Sequence, residues 1–191
     1  LANAQRHVRQ RSSPLGDFNG IATRPAAADD RIEVGHHEGD QIIGARNASA
    51  VLTIVDRATR YLWLAAHDHP TGAYSARTTT DAVVAVLDQI PPELRRTLTW
   101  DRGSEMADHH TIAKLSGIDI YFCDPHKPWQ RPVNENTNGL IHRWLPKGTD
   151  LSIHTQAGLD RIAARINTIP RRSLGWGTAA DRYQHAVAMT G

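Results

Sequence analysis

The fold is decided by residues 97–123, which are TLTWDRGSEMADHHTIAKLSGIDIYFC. Residues 97–100 and 118–123 have the composition of strands, and 108–116 between them form a short helical segment that ends at Gly117. A strand, a helix and a second strand in this order predict a parallel crossover. Asp101 directly follows the first strand, at the carboxyl edge where the ligand sites of open sheets gather.

The neighbouring segments extend this unit into a mixed sheet. Residues 38–43 predict one strand, and 50–55 and 60–66 predict an antiparallel hairpin across the turn at 56–59. Further helices are predicted at 78–90, 132–145, 155–168 and 178–188. We therefore expect an α/β fold in which a mixed five-stranded sheet, an antiparallel hairpin plus parallel strands, is flanked by helices.

Domain organisation follows from a change in composition. Residues 1–30 are rich in Arg, Ala, Ser and Pro and show no sustained period, which predicts a flexible basic arm or a remnant linker. The remaining residues, 31–191, are expected to form a single domain large enough to bury a core. The chain begins with Leu1 rather than Met, which suggests a fragment of a longer protein.

Composition excludes several classes of protein. The single Cys123 excludes a disulfide framework and a cysteine-rich zinc site, and the eleven histidines lack partners at zinc spacing. No run approaches the roughly 20 apolar residues of a membrane span, and no signal peptide is visible, so a cytoplasmic location is expected. The sequence contains no Walker loop, dinucleotide fingerprint or G-x-S-x-G elbow, which excludes a nucleotide cofactor and serine-hydrolase chemistry.

Charge is distributed unevenly along the chain. The formal net charge is only +2, but residues 126–176 contain eight Lys and Arg against three acids. A basic half beside an acidic cluster suits a polyanion whose reacting phosphate is bridged to the acids by metal. A solvated basic face is the plainer interpretation of the same charges.

Three acids stand outside any charge run: Asp40, Asp101 and Glu135, the last two separated by 33 residues. Asp40 lies in a predicted strand, Asp101 at a strand end and Glu135 near a helix N-terminus, so the fold can bring them together. Three carboxylates on a rigid scaffold are what a site for two divalent metals in phosphoryl transfer needs. Glu105 is interpreted as an orienting or capping residue rather than a third ligand.

Longer motifs surround these acids. They are Glu38-Gly39-Asp40, Leu98-Thr99-Trp100-Asp101, Tyr121-Phe122-Cys123-Asp124-Pro125-His126, Pro128-Trp129-Gln130-Arg131, Asn134-Glu135-Asn136-Thr137-Asn138-Gly139-Leu140 and Pro146-Lys147-Gly148-Thr149-Asp150. With them the chain resembles the ribonuclease-H-like, integrase-like catalytic core of DDE transposases, in particular the insertion-sequence-thirty family of bacterial transposases. The resemblance extends from about residue 20 to about 185.

The resemblance implies an enzyme that cuts DNA at transposon ends and joins the freed 3′-hydroxyls to target DNA, acting as a homo-oligomer. By motif match, Asp40, Asp101 and Glu135 are the catalytic, metal-binding acids, and hard oxygen ligands favour two Mg²⁺ or Mn²⁺ ions. Residues expected to support these acids are Glu38, Asn136 and Asn138. Residues expected to contact DNA are His126, Lys127, Trp129, Arg131, Arg143 and Lys147.

Some positions depart from the family pattern and keep two alternatives open. His37 stands where family members usually have Trp, Gln41 where an apolar residue is usual, and Pro132-Val133 where Gly-Ser or Gly-Thr is usual. The N-terminal helix-turn-helix region of the family is not seen either. These departures favour a second hypothesis, a truncated and catalytically decayed transposase that only binds DNA or a full-length partner. A ribonuclease-H-type hydrolase on the same scaffold is the third.

Overall fold

The computed structural model describes residues 15–67 and 75–190. Its strands are β1 (Asn19–Gly20), β2 (His36–Ile43), β3 (Ala50–Asp56), β4 (Leu62–Ala66), β5 (Thr97–Trp100) and β6 (Asp119–Phe122). Its α-helices are α1 (Ala27–Asp30), α2 (Ala76–Leu87), α3 (His109–Ser116), α4 (Pro132–Ile141), α5 (Gln156–Asn167) and α6 (Ala179–Ala188). Short 3₁₀ turns include Ser104–Met106 and Pro128–Gln130.

All these strands form one mixed sheet in the order β1-β6-β5-β2-β3-β4. β2, β3 and β4 pair antiparallel, whereas β5 runs parallel to both β2 and β6. The predicted α/β fold with an antiparallel hairpin and parallel strands is confirmed. The sheet has six strands rather than five, because β1 pairs parallel with β6 and forms an additional edge strand. Two residues are too few to produce the alternating pattern by which a strand is predicted.

Part of the stretch predicted as a flexible arm is packed against the domain. Leu15 is buried, the Phe18 ring contacts the Phe122 ring with centroids 5.4 Å apart, and Ala28 of α1 is fully buried. For residues 15–30 the structure therefore differs from the expectation, because isolated apolar side chains can dock on a sheet without any period. Residues 1–14 of the predicted arm lie outside the described residues.

The sheet separates two apolar cores. In β3, Leu52 and Ile54 point to the core shared with α2 and α3, whereas Val51 and Val55 point to the core shared with α4 and α5. The alternation follows from the two-residue repeat of a strand. The same repeat directs Glu38, Asp40 and Ile42 of β2 toward α4.

The predicted helices lie close to the observed ones, with one shorter than expected. α4 ends at Ile141 instead of near residue 145, and the chain then turns as the Trp144 N–H donates to the Ile141 carbonyl at 2.9 Å. Among the described helices, none is both long enough and apolar enough to cross a membrane.

Candidate active site

Asp40 and Asp101 lie on neighbouring parallel strands whose side chains interlock. Asp40 is in β2, and Asp101 directly follows β5. Between them, the fully buried indole of Trp100 lies against the backbone of Gly39, where a Cβ would come within 1.9 Å of ring carbon Cζ3. Only glycine leaves room for this approach. The Trp100 Nε1–H donates to Glu105 Oε1 at 3.0 Å, so Glu105 fixes the orientation of this indole.

The helix that carries Glu135 is attached to β2 through Glu38. Glu38 Oε2 accepts hydrogen bonds from the N–H groups of Val133 at 2.9 Å and Asn134 at 2.8 Å, in the first turn of α4. An anion there satisfies N–H groups that the helix leaves free and interacts favourably with its dipole. The other carboxylate oxygen lies 2.9 Å from Arg57 Nη1, and both side chains are almost completely buried. Glu38 therefore positions α4 relative to Asp40.

Arg131 lies between the two aspartates. Its Nη2 donates to Asp101 Oδ2 at 3.1 Å, its Nη1 is 3.4 Å from Asp40 Oδ1, and the same Nη1 donates to the Gly39 carbonyl at 2.7 Å. The arginine was predicted to contact DNA phosphate, but the structure places it at 6% exposure as the counterion of two acids. Spacing along the chain cannot show which way such a side chain turns.

Asn138 of α4 lies beside Asp40. Its Nδ2 donates to Asp40 Oδ2 at 3.1 Å, and the Gln41 N–H donates to Asp40 Oδ1 at 2.9 Å. The Gln41 amide itself donates to Thr79 Oγ1 at 2.8 Å, so this unusual polar residue is not unpaired. Asn136 is exposed on another side of α4 and does not reach the acids.

The three predicted acids line one cleft of about 580 Å³, which we call the acid cleft. Asp40 and Asp101 meet through Arg131, while Glu135 is exposed on the wall formed by the first turn of α4. Within 15–67 and 75–190, no three His, Cys, Asp or Glu side chains converge closely enough to hold a metal ion. The structure thus brings the acids to one cleft without closing them into a single ligand set.

The donor chemistry of the cleft fits a hard divalent cation. Carboxylate oxygens are the ligands that Mg²⁺ and Mn²⁺ favour. Asp101 Oδ1 is buried and has no hydrogen-bond partner among the described residues. An anionic oxygen without a donor is costly to bury, and a cation would satisfy it. In the structure, the guanidinium of Arg131 supplies the positive charge beside it.

Burial shapes the ionisation of the groups around the cleft. It raises the pKa of Asp40 above its usual value, against the opposing charge of Arg131, and it raises the pKa of Glu38 against Arg57. Burial also raises the pKa of the Cys123 thiol, at the cleft wall, to about 11. A thiol of this kind is a poor nucleophile at neutral pH, so the cleft offers carboxylates and not a cysteine for chemistry.

The other residues predicted to contact DNA fall into two groups. His126 and Lys127 line the acid cleft, and Lys127 Nζ lies 2.7 Å from Asp124 Oδ2. Trp129 is 67% exposed on the neighbouring turn. Arg143 and Lys147 are exposed beyond the C-terminal end of α4, outside the residues that line the cleft.

Two residues with structural roles at the site were not found from the sequence. Arg57 pairs with Glu38, and the fully buried Asn134 donates to the Glu38 carbonyl and to Thr53 Oγ1, at 3.3 Å in each case. Arg57 lies in no motif, and the motif that contains Asn134 does not indicate its partners, because these lie in other strands. Gly39 did carry a signal, because a glycine inside a strand often marks a close approach of another group.

The fold and the cleft together define a ribonuclease-H-like α/β core, the fold of retroviral integrases. The structure resembles the crystal structure of the catalytic core domain of BIV integrase with a TM-score of 0.59, covering 83% of this chain and 99% of that one. Sequence identity is 14%, so this likeness concerns the fold alone.

Residues 31–128, about half of the chain, match the model of the integrase core domain family, and the chain belongs to that family. It is 44% identical over 166 residues to the transposase for insertion sequence element IS1086 from Cupriavidus metallidurans, covering 87% of this chain and 48% of that protein. It is 39% identical over 193 residues to the transposase InsI for insertion sequence element IS30A from Escherichia coli strain K12, covering 100% of this chain and 49% of that protein. The chain thus spans about half the length of these relatives.

Proposed function

We propose that this chain is the catalytic core of a transposase that cleaves DNA strands at the ends of an insertion sequence and joins them to target DNA. The observation that carries the proposal is that Asp40, Asp101 and Glu135 line one cleft in a chain of the integrase core family. The relatives named as insertion-sequence transposases support the choice of DNA as substrate. We place the reaction in the bacterial cytoplasm and assign it to a homo-oligomer.

In this function, the residues at the acid cleft would have distinct roles. Asp40, Asp101 and Glu135 would hold Mg²⁺ or Mn²⁺, which when bound lowers the pKa of water and neutralises charge on the reacting phosphate. Asn138 orients the Asp40 carboxylate, and Glu38 fixes the helix turn before Glu135. Arg131 lies between the two aspartates and offsets part of the repulsion between their carboxylates.

A strand-transfer assay tests the proposal. The chain is mixed with pre-cleaved element-end DNA, a target plasmid and either Mg²⁺ or Mn²⁺. We expect joined products with the unmodified chain and none with Asp101→Asn or Glu135→Gln. Asp124→Asn is the matched control, because Asp124 lines the same cleft but is not among the three acids, so this variant should keep activity. Joining that persists in Asp101→Asn would end the proposed mechanism.

A second candidate is a core that binds DNA or a full-length partner without performing chemistry. The observation that favours it is Arg131, whose guanidinium contacts both aspartates from a buried position. Calorimetric titration with Mn²⁺ separates the two functions. Saturable binding that Asp40→Asn abolishes supports the catalytic core. No binding by the unmodified chain, together with retained salt-sensitive DNA affinity, supports the second candidate.

A further inference from the structure

Two depressions of about 370 Å³ each lie beside α4, on a different side from the acid cleft. One is lined by Pro132 and the other by Asn136, Thr137 and Leu140, so the helix itself forms part of both. They share Arg31. We call them together the arginine groove, because the basic residues that line them are Arg24, Arg31, Arg57, Arg60 and Arg171.

The arginine groove contains more positive than negative charge. Its five guanidinium groups face three carboxylates: Asp29, which pairs with Arg24 and lies 3.9 Å from Arg57, the buried Glu38, which pairs with Arg57, and the buried Asp56, which attracts Arg60. Burial lowers the pKa of Arg57, Arg60 and Arg171, and a neighbouring arginine lowers it further in each case. Such mutual repulsion costs free energy, which an anion in the groove would recover.

The groups of the arginine groove are also incompletely bonded. The buried Nε atoms of Arg24, Arg57 and Arg171 have no hydrogen-bond partner among residues 15–67 and 75–190. Arg31 and Arg60 have positive φ angles of 55° and 65°, which residues other than glycine rarely adopt.

A single turn separates the arginine groove from the acid cleft. In the segment that contains the 3₁₀ turn Pro128–Gln130, Pro128 and Arg131 line the acid cleft, whereas Trp129, Gln130 and Pro132 line the arginine groove. The exposed Trp129 indole therefore stands on the ridge between the two. A polyanion that crosses this ridge passes directly from the carboxylates to the guanidinium groups.

We propose that the arginine groove binds the sugar–phosphate backbone of the DNA strand that leaves the acid cleft, and that Trp129 stacks on a base as the strand crosses the ridge. The proposal rests on the proposed function, because it takes the strand in the acid cleft to be DNA. Arginine is well suited to this role, since its planar fork matches phosphate oxygens and its charge does not depend on pH. Phosphate contacts of this kind position a strand without reading its sequence.

The test measures DNA binding without metal, so it does not depend on catalysis. Fluorescence anisotropy with a labelled duplex and a labelled single strand is recorded over a series of salt concentrations in the presence of a chelator. The variants are Arg31→Gln, Arg60→Gln and the double variant, none of which changes the acids. Lys114→Gln is the matched control, because Lys114 is exposed on α3, against the opposite face of the sheet. Thermal unfolding checks that each variant is folded.

The groove variants should weaken duplex binding about fivefold or more, and each lost phosphate contact should reduce the slope of log K against log salt by about 0.9. The control should do neither. On the single strand, Trp129→Ala should weaken binding about fivefold or more, and Trp129→Phe should restore most of it. If the double variant unfolds, Arg31→Gln decides, because Arg31 is exposed.

Several results would overturn the proposal. One is an absence of salt-sensitive DNA binding by the unmodified chain. Another is that the groove variants have the same DNA affinity and the same slope of log K against log salt as the Lys114→Gln control. A change of oligomeric state in the double variant, with DNA binding intact, would assign the groove to a second copy of the chain instead. Loss of DNA affinity in the groove variants, combined with no strand transfer by the unmodified chain, would support the groove and count against the proposed catalysis.

Discussion

Replacing Gly39 by alanine should disrupt the contact that holds the two aspartate strands together. The new Cβ would lie 1.9 Å from Trp100 Cζ3 and 2.2 Å from Cε3. Carbon atoms in contact are about 3.5–4.0 Å apart, so the indole would have to move by about 1.6 Å or more. Trp100 is fully buried and donates a hydrogen bond to Glu105 at 3.0 Å, so it has no free direction in which to move.

The magnitude follows from two contributions. Overpacking a well-filled core costs about 1–3 kcal/mol. Losing the hydrogen bond of the buried indole adds about 1 kcal/mol. We therefore expect Gly39→Ala to lower the free energy of unfolding by about 2–4 kcal/mol, which in a domain of this size lowers Tm on the order of 10 °C. Because Asp101 directly follows Trp100, metal affinity should fall as well.

Urea unfolding followed by circular dichroism measures this effect, and Gly139→Ala is the matched control. Gly139 is exposed in α4 and a Cβ there meets no atom within 4 Å, so alanine should stabilise the helix by about 0.5–1 kcal/mol. The same substitution should thus have opposite signs at the two glycines. In addition, Trp100→Leu should make Gly39→Ala less harmful, with a coupling of about 1–3 kcal/mol.

A Gly39→Ala variant with a free energy of unfolding within about 0.5 kcal/mol of that of the unmodified chain, the range of ordinary surface substitutions, would contradict the tight packing of the indole against β2. Strict additivity of Gly39→Ala and Trp100→Leu would also contradict it, because residues in direct contact are expected to couple. In either case the close approach of the indole to β2 would not be the feature that aligns Asp40 with Asp101.

Four further predictions concern the groups around the cleft. Glu38→Gln should cost about 3–5 kcal/mol in urea unfolding, because it leaves the buried Arg57 charge uncompensated; a loss below about 1 kcal/mol would contradict the stabilising role of the Glu38–Arg57 pair. Arg131→Gln should bind Mn²⁺ about tenfold more tightly in calorimetry, because a competing cation is removed from the two aspartates; equal or weaker binding would show that Arg131 does not compete. Because the pKa of Asp40 is raised in the folded chain, the folded chain keeps a proton on this carboxyl at pH values where the unfolded chain has lost it. Without metal, the contribution of Asp40 to the free energy of unfolding should therefore fall as pH rises from its unfolded-state pKa through its folded-state pKa. Asp40→Asn should remove this part of the pH dependence, and an unchanged pH profile of stability in the variant would contradict the raised pKa. Cys123, with a thiol pKa of about 11, should react slowly with iodoacetamide at neutral pH and faster as pH rises, as followed by mass spectrometry; rapid labelling of the folded chain would show that the thiol is neither buried nor protonated.

Local patterns were sufficient for most of the fold. The strand Thr97–Trp100 and the position of Asp101 after it follow from composition and turn residues, and the structure has the strand with the same bounds. The strand Asn19–Gly20 could not be predicted, since it exists only because neighbouring apolar side chains dock on the sheet. Elements maintained by distant contacts leave no periodic signal.

The sequence indicated three acids that the structure brings to one cleft, but it did not indicate which way the basic side chains turn. Arg131 was assigned to phosphate because it is a basic residue near acidic motifs, yet its guanidinium turns inward to the aspartates. The arginine groove draws on four separate segments of the chain, around residues 24, 31, 57–60 and 171, so no local motif could reveal it. Positive charges that converge only in the folded chain require a structure to be recognised.

The attachment of α4 to β2 also limits how this core can be recombined with its relatives. Glu38 accepts hydrogen bonds from two N–H groups at the start of α4 and is only two positions from Asp40. The strand and the helix therefore form one structural unit. A chimaera that exchanged residues 131–141 alone would have to bring the first-turn N–H groups of the foreign helix to the same position against Glu38. Exchanging β2 and Arg57 with the helix would keep the unit whole, which makes this set the natural module for engineering hybrid cores.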